Sequence, residues 1–215
     1  MPDKQVLWML EKLEGFEKPK IQFEQYATSA ELAVSMMEMI DSEVGIDDCL
    51  IADLGCGCGM LMTTIATCYE PQQIIGIDID EDALEICSRN IESTEIEEKC
   101  EIIRGNALEI RNIFKQPIFD IVVLNPPFGT KNNSGIDMKF VENAISICRP
   151  GGSVFSLHKS STRDFILKTA RKWEDLEKVE TIAEMRWNLP ATYRFHKQKA
   201  VDIQVDLVHF LKKSL

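Results

Sequence analysis

The chain has 215 residues, 45% of them hydrophobic, a net charge of −11 and seven cysteines. That length can bury a sizeable core, and the acidic balance excludes non-specific nucleic-acid binding by the surface as a whole, while leaving room for one local basic face. No apolar run is long enough for a bilayer, Met1–Gly15 carries too much charge for a signal peptide, and an odd set of cysteines without framework spacing predicts reduced thiols in a cytoplasmic or nuclear protein.

Taken from the N-terminus, Val6, Leu7, Leu10 and Leu13 recur at helical spacing, with Gly15 as the stop. A polar connector, Phe16–Tyr26, leads to Thr28-Ser29-Ala30-Glu31, a capping-box pattern opening a helix through about Val44. Residues 1–27 therefore read as an N-terminal extension of one domain spanning 1–215. Strands are predicted at Leu50–Leu54, Ile74–Asp78, Glu101–Arg104, Phe119–Leu124 and Ser153–Leu157. Helices fall between most of them, at Met60–Cys68, Glu81–Ser93 and Met138–Cys148, and Ser160–Trp173 follows the fifth strand.

Strands alternating with helices imply a largely parallel sheet covered on both faces. The end of the chain differs. Lys178–Trp187 and Ala200–Leu211 are extended runs joined by Asn188–Lys199, with no room for a crossover helix, so they predict an antiparallel hairpin. The expected fold is α/β and Rossmann-like: a mostly parallel seven-stranded sheet closed by that hairpin.

"DLGCGCG", residues 53–59, lies between the first strand and its helix. Alternating glycines let the backbone turn sharply and approach a ligand closely. Dinucleotide loops space the third glycine by two residues; here it follows after one, with an acid ahead of the set. This spacing resembles the loop of S-adenosylmethionine-dependent methyltransferases, which marks Asp53, Gly55 and Gly57 as cofactor contacts. Cys56 and Cys58 read as small side chains suited to the loop, because a zinc site needs further ligands at suitable spacing.

"GIDID" ends the second strand about twenty residues on, where doubly wound folds place an acid on ribose hydroxyls. Asp78 is the candidate, with Ile79 beside it, and Asp80 is expected to cap the following helix. Asn106, with Ala107, follows the third strand and is placed to meet an adenine edge.

"NPPF", residues 125–128, leaves the fourth strand at the end where such sheets bind ligands. Two prolines cannot continue a strand ladder, so the order of groups calls for another explanation. An amine conjugated to a base is a poor nucleophile because its lone pair is delocalised. Acceptors aimed at its hydrogens favour a pyramidal nitrogen: the Asn125 side chain offers one and the Pro126 carbonyl the other. Pro127 stiffens that carbonyl, and Phe128 offers a face for stacking.

The tetrapeptide resembles the signature of amino methyltransferases and leaves open whether the acceptor is adenine, cytosine, guanine or a protein glutamine. Longer strings narrow the choice. "GFEKPKIQFEQYAT", "ADLGCGCG", "GIDIDEDALEI", "NPPFGTKNN", "SLHKSSTR" and "LPATYRFHKQKAVDIQVDL" resemble the methyltransferase-like protein five family almost end to end. The resemblance implies methylation of adenosine N6 in small-subunit ribosomal RNA, with a small zinc-binding activator subunit as partner. It implies that Gln25 and Thr28 contact the methionine end of the cofactor, Thr28 being also a candidate helix cap. The activator is expected along the third strand, a sheet edge in this fold. Asn106 departs from the family pattern, in which an acid is more usual.

Segments after the parallel strands emerge beside the cofactor, so Lys131, Lys159, Arg163, Arg194, His196, Lys197 and Lys199 are expected to form an RNA-binding face. Glu92, Glu95, Glu97 and Glu98 should lie away from it. His158 reads as a hydrogen-bonding residue near a helix start, and Trp8, Trp173 and Trp187 as packing residues. Two other functions share these motifs: a glutamine methyltransferase acting on a release factor, against which no separate substrate domain precedes the glycine loop, and a cofactor-binding RNA scaffold without turnover. The expected location is cytoplasmic and nuclear, including the nucleolus.

Overall fold

The computed structural model describes residues 4–129, 133–190 and 200–214, with the backbone alone at 188–190, 200 and 201. The strands, in chain order, are β1 (Leu50–Leu54), β2 (Gln73–Asp78), β3 (Cys100–Arg104), β4 (Phe119–Leu124), β5 (Cys148–Lys159), β6 (Leu176–Pro190) and β7 (Ala200–Lys212). They form one sheet in the order β3-β2-β1-β4-β5-β7-β6. β1 to β5 pair in parallel, whereas β7 runs antiparallel to both β5 and β6. The expected mostly parallel sheet with a C-terminal antiparallel hairpin is what the chain forms.

The helices are α1 (Lys4–Leu10), α2 (Ala30–Val44), α3 (Met60–Cys68), α4 (Glu81–Ser93), α5 (Ile136–Ile147) and α6 (Arg163–Ala170). Side chains of the central strands alternate between two cores, as the period of a strand requires. Ile121 and Val123 join α2, α3 and α4 on one face, while Val122 and Leu124 join α5 and α6 on the other. Both faces are covered, which is why these strands read as unbroken apolar runs. α1 packs on α2 through Leu10, Ala30 and Val34.

Several local expectations shift, among them the bounds of α5 and α6. The first helix ends at Leu10 and continues only as turns bonded to Leu13, short of Gly15. The N-cap of α2 is Ser29, whose hydroxyl accepts the Leu32 N–H at 3.3 Å, so the capping register is one residue later than Thr28. β5 begins at Cys148, directly after α5, because Cys148 already pairs with Phe119 across an irregularity that absorbs Pro150 and the two glycines. A 3-10 segment, Ala107–Asn112, was not legible in the pattern.

Strand order reverses between β1 and β4, the neighbours at the centre of the sheet. Ligands of open α/β sheets bind in the crevice this reversal leaves at the carboxyl ends of the strands. Both marked motifs, residues 53–59 and 125–128, leave the sheet there.

Candidate active site

The glycine loop folds back over the end of β2. The N–H groups of Gly55 and Cys56 donate to the Ile77 carbonyl at 2.7 and 3.1 Å, and the Gly57 N–H donates to Asp78 Oδ2 at 2.9 Å. Gly57 has φ +54, and a Cβ there would stand 2.9 Å from the Phe16 ring. Gly59 has φ +87, and a Cβ would stand 2.6 Å from Cys87 Sγ of α4. The first of these approaches presses the N-terminal connector onto the loop; the second lets α4 pack beneath it. Cys58 is buried and its thiol is pushed up to about 12, chiefly by that burial, so it stays protonated.

Asp53 sits under the loop, 1% exposed. Its Oδ2 accepts the Met62 N–H at 3.1 Å, while Oδ1 has no hydrogen-bond partner. Burial raises its carboxyl to about 7, against the opposing hydrogen bond from Met62. Asp78 lies at the rim; Oδ2 holds Gly57 and Oδ1 accepts the Asp80 N–H at 2.9 Å. Burial raises its carboxyl also.

Asp80 caps α4, accepting the Asp82 N–H at 3.2 Å, and it does more. Lys20 donates an ammonium proton to Oδ1, and Gln25 Nε2 donates to Oδ2 at 2.6 Å. Burial works to raise this carboxyl, yet the hydrogen bonds from Lys20 and Gln25 outweigh it and hold the group below its usual range. Gln25 Oε1 in turn accepts the Lys20 N–H at 2.7 Å. The Gln25 amide therefore latches the connector to α4, a role that the expectation of a cofactor contact did not include.

A cleft of about 310 Å³ opens between these parts, lined by Gly57, Asp78, Ile79, Asn106, Ala107 and Asn125 among others. Asn106 caps the 3-10 segment through Oδ1, which accepts the Leu108 N–H at 3.0 Å. Its adenine-edge candidacy thus rests on the remaining lone pair and Nδ2.

Asn125 reaches across to the start of α2, where its Nδ2 donates to Thr28 Oγ1 at 3.0 Å. Ser29 takes over the capping role, so the Thr28 hydroxyl is left to orient this amide. Pro126 is buried and Pro127 half-buried. Phe128 meets Trp187 edge to face, with centroids 5.9 Å apart, and Lys159 Nζ lies 5.5 Å from the Phe128 centroid. A second small pocket, about 30 Å³, is lined by Glu24, Tyr26, Asn125, Pro127, Phe128 and Trp187. It has room for a water or two, so a base enters only when a lining side chain moves.

The expected cationic face separates into distinct cases. Lys159 is exposed beside Phe128. Arg163 is committed within the fold: Nη2 donates to Asp206 Oδ1 at 2.7 Å, and Nη1 lies 2.8 Å from Glu184. Lys131, Arg194, His196, Lys197 and Lys199 lie outside the described residues. Glu92, Glu95, Glu97 and Glu98 are exposed at the far end of α4 and in the turn after it. His158 is buried and its Nδ1 stands 3.1 Å from Asp137 in the first turn of α5.

Sequence reasoning missed Phe16, Lys20 and Asn90, whose contacts span long stretches of chain. Asn90 Nδ2 donates to the carbonyls of Glu14 and Cys58, both at 2.9 Å, tying connector to loop. Trp187 packs as expected, but against Phe128 at the small pocket, and Trp8, read as a packing residue, is 62% exposed.

Comparison with known proteins sharpens this picture. The sequence profile of the methyltransferase small domain matches residues 30–183. The chain is 62% identical over 212 residues to the rRNA N(6)-adenosine-methyltransferase metl-5 of Caenorhabditis elegans, covering 99% of each. It is 46% identical over 202 residues to the rRNA N(6)-adenosine-methyltransferase METTL5 of Danio rerio, covering 94% of each. A solved structure of a proposed RNA methyltransferase from Pyrococcus horikoshii superposes with a TM-score of 0.80 at 27% identity, spanning 99% of this chain and 100% of that one.

Proposed function

Because the chain belongs to the methyltransferase small-domain family, and within it to the rRNA N(6)-adenosine-methyltransferases, we infer that it is an S-adenosylmethionine-dependent enzyme that methylates adenosine N6 in ribosomal RNA. The observation that carries the reading is the meeting of the glycine loop, Asp78 and Asn125 at one switch point of the sheet.

The residues present fit the cofactor. The cleft is large enough for an adenosyl group. Asp78 would take the ribose hydroxyls on its remaining lone pairs, with Ile79 and Ala107 as apolar walls for the adenine. Asp53 Oδ1, buried and without a partner, belongs to the carboxyl under the loop that would ionise against the cofactor's ammonium. Gly55 and Gly57 permit close approach, and Thr28 and Gln25 bound the methionine end. When bound, the cofactor supplies a methyl group on a sulfonium that needs no further activation to leave.

The protein's own work is then orientation. Donation from Nδ2 to Thr28 fixes the Asn125 amide so that Oδ1 remains to accept a hydrogen from the target amine. The Pro126 carbonyl accepts the second hydrogen, and together they favour a pyramidal nitrogen with its lone pair free. Phe128, steadied by Trp187, stacks on the base. Holding the amine in line accounts for the catalysis without a strong general base: the thioether leaves neutral, and the methylated, cationic nitrogen is acidic enough to lose its proton to water. The base must leave its stack to arrive there, and the small pocket must open to receive it.

The finer reading is a small-subunit, 18S-type ribosomal RNA as substrate, with Lys159, Lys131, Arg194, His196, Lys197 and Lys199 near the phosphates. A small zinc-binding activator subunit pairs by strand addition along β3, the sheet edge that hydrogen-bonds only to β2 within the described chain. The chain works in the cytoplasm and nucleus. Labelled cofactor incubated with separated ribosomal RNAs and with a protein extract, with and without the activator, tests the substrate and the partner. Label in small-subunit adenosine, strongest with the activator, is the expected result. Label in protein glutamine, or none with either RNA, overturns it.

A further inference from the structure

Away from the cleft, one cluster takes no part in methyl transfer. Glu43, near the C-terminus of α2, Glu180 on β6 and His209 on β7 bring two carboxylates and an imidazole nitrogen within 4.8 Å of one another. Glu180 and His209 are register partners across the antiparallel β6–β7 pair. His209 is only 4% exposed. Its Nε2 lies 2.9 Å from Ser153 Oγ, and its ring stacks on Phe155 with centroids 4.4 Å apart. The imidazole is thus fixed from two sides. Its other nitrogen, Nδ1, is buried, has no hydrogen-bond partner and stands 4.0 Å from Glu43 Oε2.

That geometry is electrostatically incomplete. At 4.0 Å Nδ1 does not share a hydrogen bond with the Glu43 carboxylate. The buried Nδ1 faces two carboxylates, and the tautomer whose Nε2–H donates to Ser153 Oγ leaves the Nδ1 lone pair free to bind a cation. The Lys178 ammonium now pairs with Glu180, from a half-exposed stem that can swing away.

We propose that Glu43, Glu180 and His209 form a binding site for a divalent transition cation of the zinc class, with water completing its coordination. An imidazole with two carboxylates suits such a cation better than calcium or magnesium, which prefer all-oxygen shells. Metal–ligand distances of about 2.0–2.2 Å require the cluster to contract by roughly an ångström. Glu43 and Glu180 reach the surface and supply that movement, while His209 stays fixed. The cation replaces Lys178 as counter-charge. It also fastens the C-terminal end of α2, whose N-terminal end is next to Thr28, to the hairpin that carries Trp187.

The test is titration of the full chain with zinc and with cobalt, following the three histidines by NMR. Zinc should move the His209 ring signals selectively, and cobalt should give ligand-field bands without thiolate charge transfer. Glu43→Gln and Glu180→Gln, at carboxylates that reach solvent, should each weaken zinc by about tenfold or more. Lys178→Gln should tighten it. Thiolate bands would place the metal on cysteine. Either that result, unchanged affinity in both Gln variants, or no binding at millimolar zinc overturns the proposal.

Discussion

The Asn125 side-chain amide donates to the Thr28 hydroxyl across 3.0 Å, joining residues 97 positions apart at the meeting of β4 and α2. In this arrangement the amide nitrogen faces the Thr28 hydroxyl, which leaves the Asn125 oxygen unclaimed by Thr28.

Thr28→Val keeps the shape and removes the acceptor. The expected result is a fall in kcat of about 10–100-fold, from poorer alignment, with cofactor affinity changed only a few-fold. Asn125→Ala should abolish turnover while cofactor binding again stays within a few-fold. Calorimetry beside a labelled-methyl assay checks both; near-normal turnover in Asn125→Ala would sink the mechanism.

Asp78 and Asp80 are two residues apart and do different work. Asp78→Ala should weaken cofactor binding by about 1.5–3 kcal/mol, the scale of hydrogen bonds to a charged group. Asp80→Ala should chiefly lower stability and loosen the connector. Because the Asp80 carboxyl is held below its usual value, its contribution is present above the unfolded value of 3.8 and vanishes as pH falls through the lower folded one. Denaturant melts of the variant and parent should therefore converge in acid. If Asp80→Ala costs more cofactor affinity than Asp78→Ala, the ribose assignment is wrong.

Asp53 has the opposite sign. A carboxyl raised from 3.8 to about 7 makes the ligand-free fold lose stability as pH rises across that window. Asp53→Asn should match the parent near pH 3 and exceed it by roughly 4 kcal/mol above pH 8, the free-energy equivalent of the shift. Cofactor binding should release a proton near pH 6.5, because the ammonium favours the ionised carboxylate. Calorimetry in buffers of different ionisation heat reads that proton directly, and a proton count of zero rejects the assignment.

Lys159 and Arg163, both expected on the RNA face, should part ways. Lys159→Glu should weaken RNA binding and flatten its salt dependence by about 0.7 in the log–log slope for each single-strand phosphate that the protein no longer neutralises. Arg163→Ala should instead destabilise the fold, since it strips the guanidinium from the fully buried Asp206 carboxylate. Filter binding across a salt series, with thermal melts of each variant, distinguishes the two.

The sheet was legible because its strands are apolar runs set off by turn residues, and the loop and tetrapeptide because their chemistry is local. Capping was harder: Thr28 and Ser29 are chemically equivalent as caps, and only the distant Asn125 decides between them. Gln25 and Asp80 were each assigned alone, although their roles depend on one another through a contact 55 positions long. Arg163 failed to announce its commitment because Asp206 and Glu184 reach it through sheet pairing. The cluster of Glu43, Glu180 and His209 leaves no spacing signature for the same reason.

The shared carboxylate of Asp80 has a further consequence for how this protein can change over time. Lys20 and Gln25 both spend a donor on it, so a substitution at position 80 alters what is favourable at positions 20 and 25. The three are epistatic: measured energies at one site depend on the residue at the others, and single exchanges misreport their joint effect. The contact thus couples the N-terminal connector energetically to the start of a helix sixty residues away.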